Sequence, residues 1–98
     1  MRDINLRFVE ETYDEEGLLV DFVVKCPANF NFGYDVVDDI AENDPDRRAM
    51  VWCNPEGEEH VFTFADMKRW SDKTANYLAA HGVGRGDYVM VILRRHYQ

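Results

Sequence analysis

The chain has little of what metal and redox sites are built from. It holds two cysteines and three histidines in 98 residues. Cys26 and Cys53 form no C-x-x-C pair, and His60, His81 and His96 stand at no ligand spacing from them. Buried, reduced thiols are the expected state of both cysteines. Long apolar runs are missing too. The longest, Tyr88 to Leu93, is far too short to span a bilayer. Met1–Arg7 is charged and no apolar stretch of signal-peptide type follows, so the expected compartment is the cytoplasm. Basic charge is scarce where acidic charge is dense. Residues 1–60 hold sixteen acidic and five basic side chains, a net of −11, and residues 61–98 hold three and six, a net of +3. That imbalance excludes a nucleic-acid module, which needs a basic face.

What is present is apolar enough to fold. Hydrophobic residues make up 46% and aromatics 13%, too much for a disordered tail. A chain of this length forms one small domain or a piece of one, and folding hides about 65% of the surface its unfolded form exposes.

Leu6 to Val24 reads as a hairpin. Two runs rich in β-formers flank Asp14-Glu15-Glu16-Gly17, an acidic loop closed by glycine. The three carboxylates suggest calcium, but the twelve-residue EF-hand spacing and its flanking helices are absent, so a solvated turn is expected. Cys26-Pro27 opens a connector. Phe30 and Phe32, two apart, are expected on one side of an extended chain, docking it onto a core. Residues 34–43 carry a helical pattern, with Val36, Val37 and Ile40 on one face and Asp35, Asp38, Asp39 and Glu42 on the other. Neighbouring Asp38 and Asp39 point about 100° apart on a helix and make a poor carboxylate dyad. Asp44-Pro45 stops the helix.

Residues 49–63 read as a second hairpin, turning at Asn54 to Glu59, with Trp52 in its core. Thr63 and Asp66 then form a capping-box pattern, and Phe62 and Met67 are placed as a staple. A helix over 64–81 follows. Met67, Trp70, Ser71, Thr74, Ala75, Leu78 and Ala79 form an apolar-to-small stripe. Lys68, Arg69, Asp72, Lys73 and Asn76 take the solvated side. Gly82 is placed as the left-handed residue after the helix, with Val83 behind it. Gly84-Arg85-Gly86-Asp87 resembles a phosphate loop only in composition, because its glycines follow a helix and precede a strand. Residues 88–93 read as a strand of a covered sheet.

Thr63-Phe64-x-Asp66-Met67, Ala75-x-x-Leu78, Gly82-Val83 and Arg85-Gly86-Asp87-x-Val89 together resemble the early core of AMP-forming acyl-CoA synthetases, a superfamily that includes luciferases and peptide-synthetase adenylation domains. Phe30-Asn31-Phe32, Asp35 to Asp38 and Val51-Trp52 are similar to its medium-chain acyl-CoA synthetase branch. The resemblance covers residues 30–98. It implies an α/β fold: the N-terminal piece of a large layered adenylate-forming domain, with residues 1–29 a hairpin extension and connector. For the parent protein it implies ATP, Mg2+, coenzyme A and a medium-chain fatty or aromatic carboxylic acid, joined through an acyl-adenylate. It places no catalytic, cofactor-binding or metal-binding residue within this chain, because the family's phosphate loop and catalytic lysine belong further along. The segment alone is expected to be inactive, to dock on the remainder of the synthetase and to self-associate through exposed residues 88–93. Two alternatives stay open: another adenylating enzyme, activating acetate or amino acids, and a free-standing acidic interaction module.

Overall fold

Both hairpins close on the same five-residue device. In Asp14–Leu18 the Asp14 carboxylate accepts from the Glu16 and Leu18 amides, each at 2.9 Å, and Gly17 donates to the Asp14 carbonyl at 3.1 Å. In Asn54–Glu58 the Asn54 side-chain oxygen accepts from the Glu58 amide at 2.9 Å, and Gly57 donates to the Asn54 carbonyl at 3.1 Å. Each loop needs a left-handed residue in fourth place, and glycine supplies it at φ +79° and +87°. The Asp14 carboxylate thus organises its own loop's backbone, as an ordinary turn requires.

The computed structural model describes residues 7–94, 96 and 97. Strands β1 (Val9–Tyr13) and β2 (Leu19–Val24) come first. A π-helical stretch, Gly33–Asp38, runs directly into helix α1 (Asp39–Asn43). Strands β3 (Arg48–Cys53) and β4 (Glu59–Thr63) lead into helix α2 (Phe64–Ala80). β1 pairs with β2, and β3 with β4, as two separate antiparallel sheets of two strands. The expected α/β content is there, with both hairpins and both helical stretches close to their expected limits.

α2 starts where it does because every early amide finds an acceptor. Thr63 donates its N–H to Asp66 Oδ2 at 3.1 Å, and Asp66 donates to Thr63 Oγ1 at 3.2 Å. Phe64 and Ala65 donate to the backbone carbonyls of Arg47 at 2.9 Å and Pro45 at 3.1 Å. The capping box was legible in the sequence; the two carbonyls lent by the loop before β3 were not. They satisfy the donors that the box leaves over. The other end closes as expected. Val83 donates to the Leu78 carbonyl and Gly82 to that of Ala79, both at 3.0 Å, the two bonds of a Schellman turn.

The cap supports a stability test. Thr63→Ala should cost about 1 kcal/mol. Hydrogen bonds from Thr63, chiefly its backbone N–H, hold the Asp66 carboxyl below its ordinary value of 3.8. A lowered carboxylate pKa stabilises the fold above the unfolded value and stops doing so as pH falls through the folded one. The deficit of Asp66→Ala should therefore be complete at neutral pH and fade below pH 3.8. Urea melts of both proteins from pH 2.5 to 7 read this; a pH-independent deficit would contradict it.

Four expectations give way to the structure. Residues 88–93 form no strand. The segment has no neighbouring chain to bond with, and its side chains are exposed, Met90 at 86% and Ile92 at 85%. The apolar stripe of α2 is mostly uncovered as well; Trp70 is 53% exposed, and no residue of α2 is fully buried. Cys26 and Cys53 are exposed rather than buried, on a connector and at a strand end that nothing covers. Phe30 and Phe32 do not share a side, because Phe32 already has helical backbone angles (φ −54°, ψ −38°). Phe30 meets Phe8 edge-on at 4.9 Å, while Phe32 faces solvent.

The physical reason is common to the first three. A folded protein of this mass exposes about 5,800 Å², and this chain exposes 8638 Å². Its radius of gyration is 17.4 Å, against about 13 Å for a compact chain of this length. Ala41 is the buried hydrophobic residue, and no large side chain among the described residues is completely enclosed. Elements form from local chemistry, but the surfaces that would cover them are mostly lacking.

Candidate functional site

The most enclosed polar group is Asp38, 6% exposed, where the π-helical stretch crosses the start of α2. A π turn bonds each amide one residue further back than an α turn. The wider turn changes the phase of the side chains, and Asp38 leaves the solvated face expected of it. Lys68 likewise turns from its expected solvated face toward the helical stretch. Its ammonium reaches Asp38 Oδ2 at 2.8 Å and Asp72 Oδ2 at 3.6 Å. The hydrogen bond to Asp38 holds the Lys68 ammonium above its ordinary 10.5; the charges of Asp38, Asp72 and Glu42 act in the same direction, and burial opposes them. Asp38 Oδ1 is buried and has no hydrogen-bond partner among the described residues. Asp39 turns away and pairs with Arg7 at 3.0 Å. The adjacent carboxylates therefore serve two different contacts, and neither forms an acid–base pair with the other.

Local chemistry prepares this crossing. Asn31 Oδ1 accepts from Gly33 N–H at 2.9 Å, and Asp35 Oδ2 accepts from Asn31 N–H at 2.7 Å. This reciprocal pair fixes the entry to the π-helical stretch. The spacing Asn31-x-x-x-Asp35 was its available signal. Nothing in the sequence joins Asp38 to Lys68, which lie 30 residues apart.

The second cluster is aromatic. Trp52 and His60 are cross-strand partners with ring centres 5.6 Å apart. Tyr97 packs on the same group, 4.4 Å from His60, 5.2 Å from Trp52 and 5.5 Å from Phe62. Trp52 therefore does pack in a cluster, though it is half-buried.

The glycine loop is closed by its own aspartate. Asp87 Oδ2 accepts from Gly84 N–H at 2.7 Å, and Asp87 N–H donates to the Gly84 carbonyl at 3.1 Å. A phosphate would have to displace a carboxylate there, against like charge. A shallow open depression of about 390 Å³ lies among Arg7, Val9, Glu10, Glu11, Tyr13 and Lys25. Its cations are already paired, Arg7 with Asp39 and Lys25 with Glu10. Tyr13 donates to Glu11, which raises its phenol pKa. Among the described residues no three His, Cys, Asp or Glu side chains are grouped to hold a metal, and no helix is long and apolar enough to cross a membrane. The geometry defines an α/β framework with one enclosed ion pair.

Comparison with known proteins places that framework. The sequence pattern of the family described as "AMP-binding enzyme" matches residues 37–98. The human protein "Acyl-coenzyme A synthetase ACSM3, mitochondrial" is 36% identical over 86 residues, covering 82% of this chain and 15% of its own length. Rat "Acyl-coenzyme A synthetase ACSM2, mitochondrial" is 40% identical over 77 residues, covering 72% of this chain and 14% of its own. Human "Acyl-coenzyme A synthetase ACSM4, mitochondrial" is 37% identical over 75 residues, covering 70% and 13%. The chain belongs to the AMP-binding enzyme family. It spans about one-seventh of the length of these curated relatives. The 82% cover by the human ACSM3 protein is longer than residues 30–98 alone, so that similarity reaches into the first 29 residues.

Proposed function

We propose that this chain is scaffold from the start of the large N-terminal domain of an ATP-dependent acyl-CoA synthetase. In this reading residues 1–29 are a hairpin and connector, and residues 30–98 begin the domain proper. The parent activates a medium-chain fatty or aromatic carboxylic acid. The carboxylate oxygen attacks the α-phosphorus of ATP and releases pyrophosphate. The coenzyme A sulfur then takes the acyl group and releases AMP. ATP, Mg2+ and coenzyme A are assigned to the parent, and none of them to this segment. The role of the segment is positional: the Asp38–Lys68 pair locks the π-helical stretch to α2, and α2 delivers residues 88–93 toward the rest of the domain.

The observation that carries the reading is the similarity to three acyl-coenzyme A synthetases over at least 70% of this chain. The uncovered stripe of α2 and exposed residues 88–93 fit it, since both are surfaces the remainder of the synthetase would bury. In the isolated chain the same surfaces favour self-association. A cytoplasmic location belongs to this reading, whereas the relatives' names say mitochondrial; imaging of the tagged parent separates the two.

The test is ATP–pyrophosphate exchange. The pure 98-residue protein should give none with any carboxylic acid, while a parent protein that contains it should exchange with medium-chain or aromatic acids. Exchange by the short protein would overturn the scaffold assignment. Exchange by the parent with acetate or amino acids alone would move it to another adenylating branch.

A further inference from the structure

Among the described residues β2 is paired to β1 on one side and free on the other, because the sheet contains two strands. Apart from Asp21 it is apolar, and Leu19, Val20, Phe22, Val23 and Val24 are each at least half exposed. Tyr88–Leu93 is the complementary element in the same chain: six consecutive apolar residues, strongly exposed, with no ladder of their own. An open strand edge and an unpaired β-forming segment are each ready to bond with the other.

The flanking charges choose the direction. In an antiparallel arrangement Tyr88 lies opposite Val24 and Leu93 opposite Leu19. Asp87 then falls beside Lys25, and Arg94 beside the Asp14–Glu16 turn. In a parallel arrangement Asp87 would meet that acidic turn and Arg94 would meet Lys25, so both ends would repel. β1 is a poorer acceptor, since its five residues carry two carboxylates, Glu10 and Glu11, against the single Asp21 of β2.

We infer that in the 98-residue protein Tyr88–Leu93 of one copy adds, antiparallel, to the free edge of β2 of a second copy, with the exchange mutual. Each copy has one donor segment and one acceptor edge, so reciprocal exchange closes a two-fold dimer and leaves neither unpaired. The two hairpins become two three-stranded sheets, with Met90 set opposite Phe22 in each. The inference rests on the self-association in the reading above and names the surfaces that make it.

Sedimentation equilibrium of the full 98-residue chain over a concentration series tests it. The expected result is a monomer–dimer equilibrium, with amides of residues 19–24 and 88–93 gaining protection from hydrogen exchange as dimer forms. Met90→Pro removes a ladder donor, because the Lys25 N–H bond to the Phe8 carbonyl turns Val23 and Asp21 toward β1 and leaves Phe22, opposite Met90, facing the free edge. It should give monomer at concentrations where the original chain is dimeric, with unchanged helical circular dichroism. Arg94→Glu should weaken the dimer about fivefold, and adding Glu16→Lys should restore it. A chain that stays monomeric throughout overturns both the inference and the self-association reading. A dimer indifferent to Met90→Pro and Arg94→Glu overturns the inference alone.

Discussion

Replacing Lys68 by methionine should destabilise the chain more than any other single change at this crossing, because it leaves Asp38 as a buried carboxylate without its cation. One Asp38 oxygen has no partner among the described residues, and Lys68 supplies the other's. The reverse change should cost less. In Asp38→Leu, Lys68 keeps a third of its side chain in water and lies within 3.6 Å of Asp72, so its charge is not stranded. The double variant, Lys68→Met with Asp38→Leu, should recover most of the loss, since an apolar pair removes the desolvation penalty along with the attraction. Urea unfolding followed by circular dichroism at 222 nm ranks the three. If Lys68→Met proves no worse than Asp72→Ala, whose surface ion pair contributes little, the crossing is not held by Asp38.

The second large effect is expected at the aromatic cluster. Trp52→Ala should cost about 2 kcal/mol, below the roughly 3–5 kcal/mol of a fully buried large aromatic residue, because Trp52 is half-buried. The side chain touches His60 across the ladder and Tyr97 from the chain's far end, so its loss removes ring contacts on two sides. Trp52→Phe should retain more than half of the stability, and Tyr97→Ala should cost less than Trp52→Ala. Near-ultraviolet circular dichroism reads the packing, and Trp70 on α2 reports the helix separately. A Trp52→Ala protein within 0.5 kcal/mol of the original would show that the rings are neighbours without being a packing unit.

The two predictions mark the boundary of what could be read from the chain. Trp52 as a packed residue was visible from its place in a β-rich run, but its partner His60 was not, since a turn spanning Asn54 to Glu59 sets His60 opposite Cys53, whereas the ladder closes on Cys53 and Glu59. Tyr97 was not visible, because no local rule ties it to residues some forty positions earlier. The Asp38–Lys68 pair was hidden more deeply. Both residues sit on faces that a 3.6-residue period assigns to solvent. A π turn moves Asp38 out of that phase, and such a turn leaves no dependable mark in a single sequence.

The capping box at Thr63, the Schellman turn at Gly82 and both Asx–glycine hairpin loops were fixed by residues within five positions of one another. Short-range chemistry of this kind is determined by the sequence itself, since each partner is the nearest group able to satisfy a backbone donor or acceptor. The stretch from Phe62 to Leu93 was therefore legible as a capped helix and a turn, and the resemblance resting on it holds as membership of the AMP-binding enzyme family. Only the tertiary structure decided which faces were covered. The carbonyls of Pro45 and Arg47 complete the cap, Asp38 turns inward to Lys68, and the apolar segment at 88–93 lies open because a strand exists only where another strand supplies its hydrogen bonds.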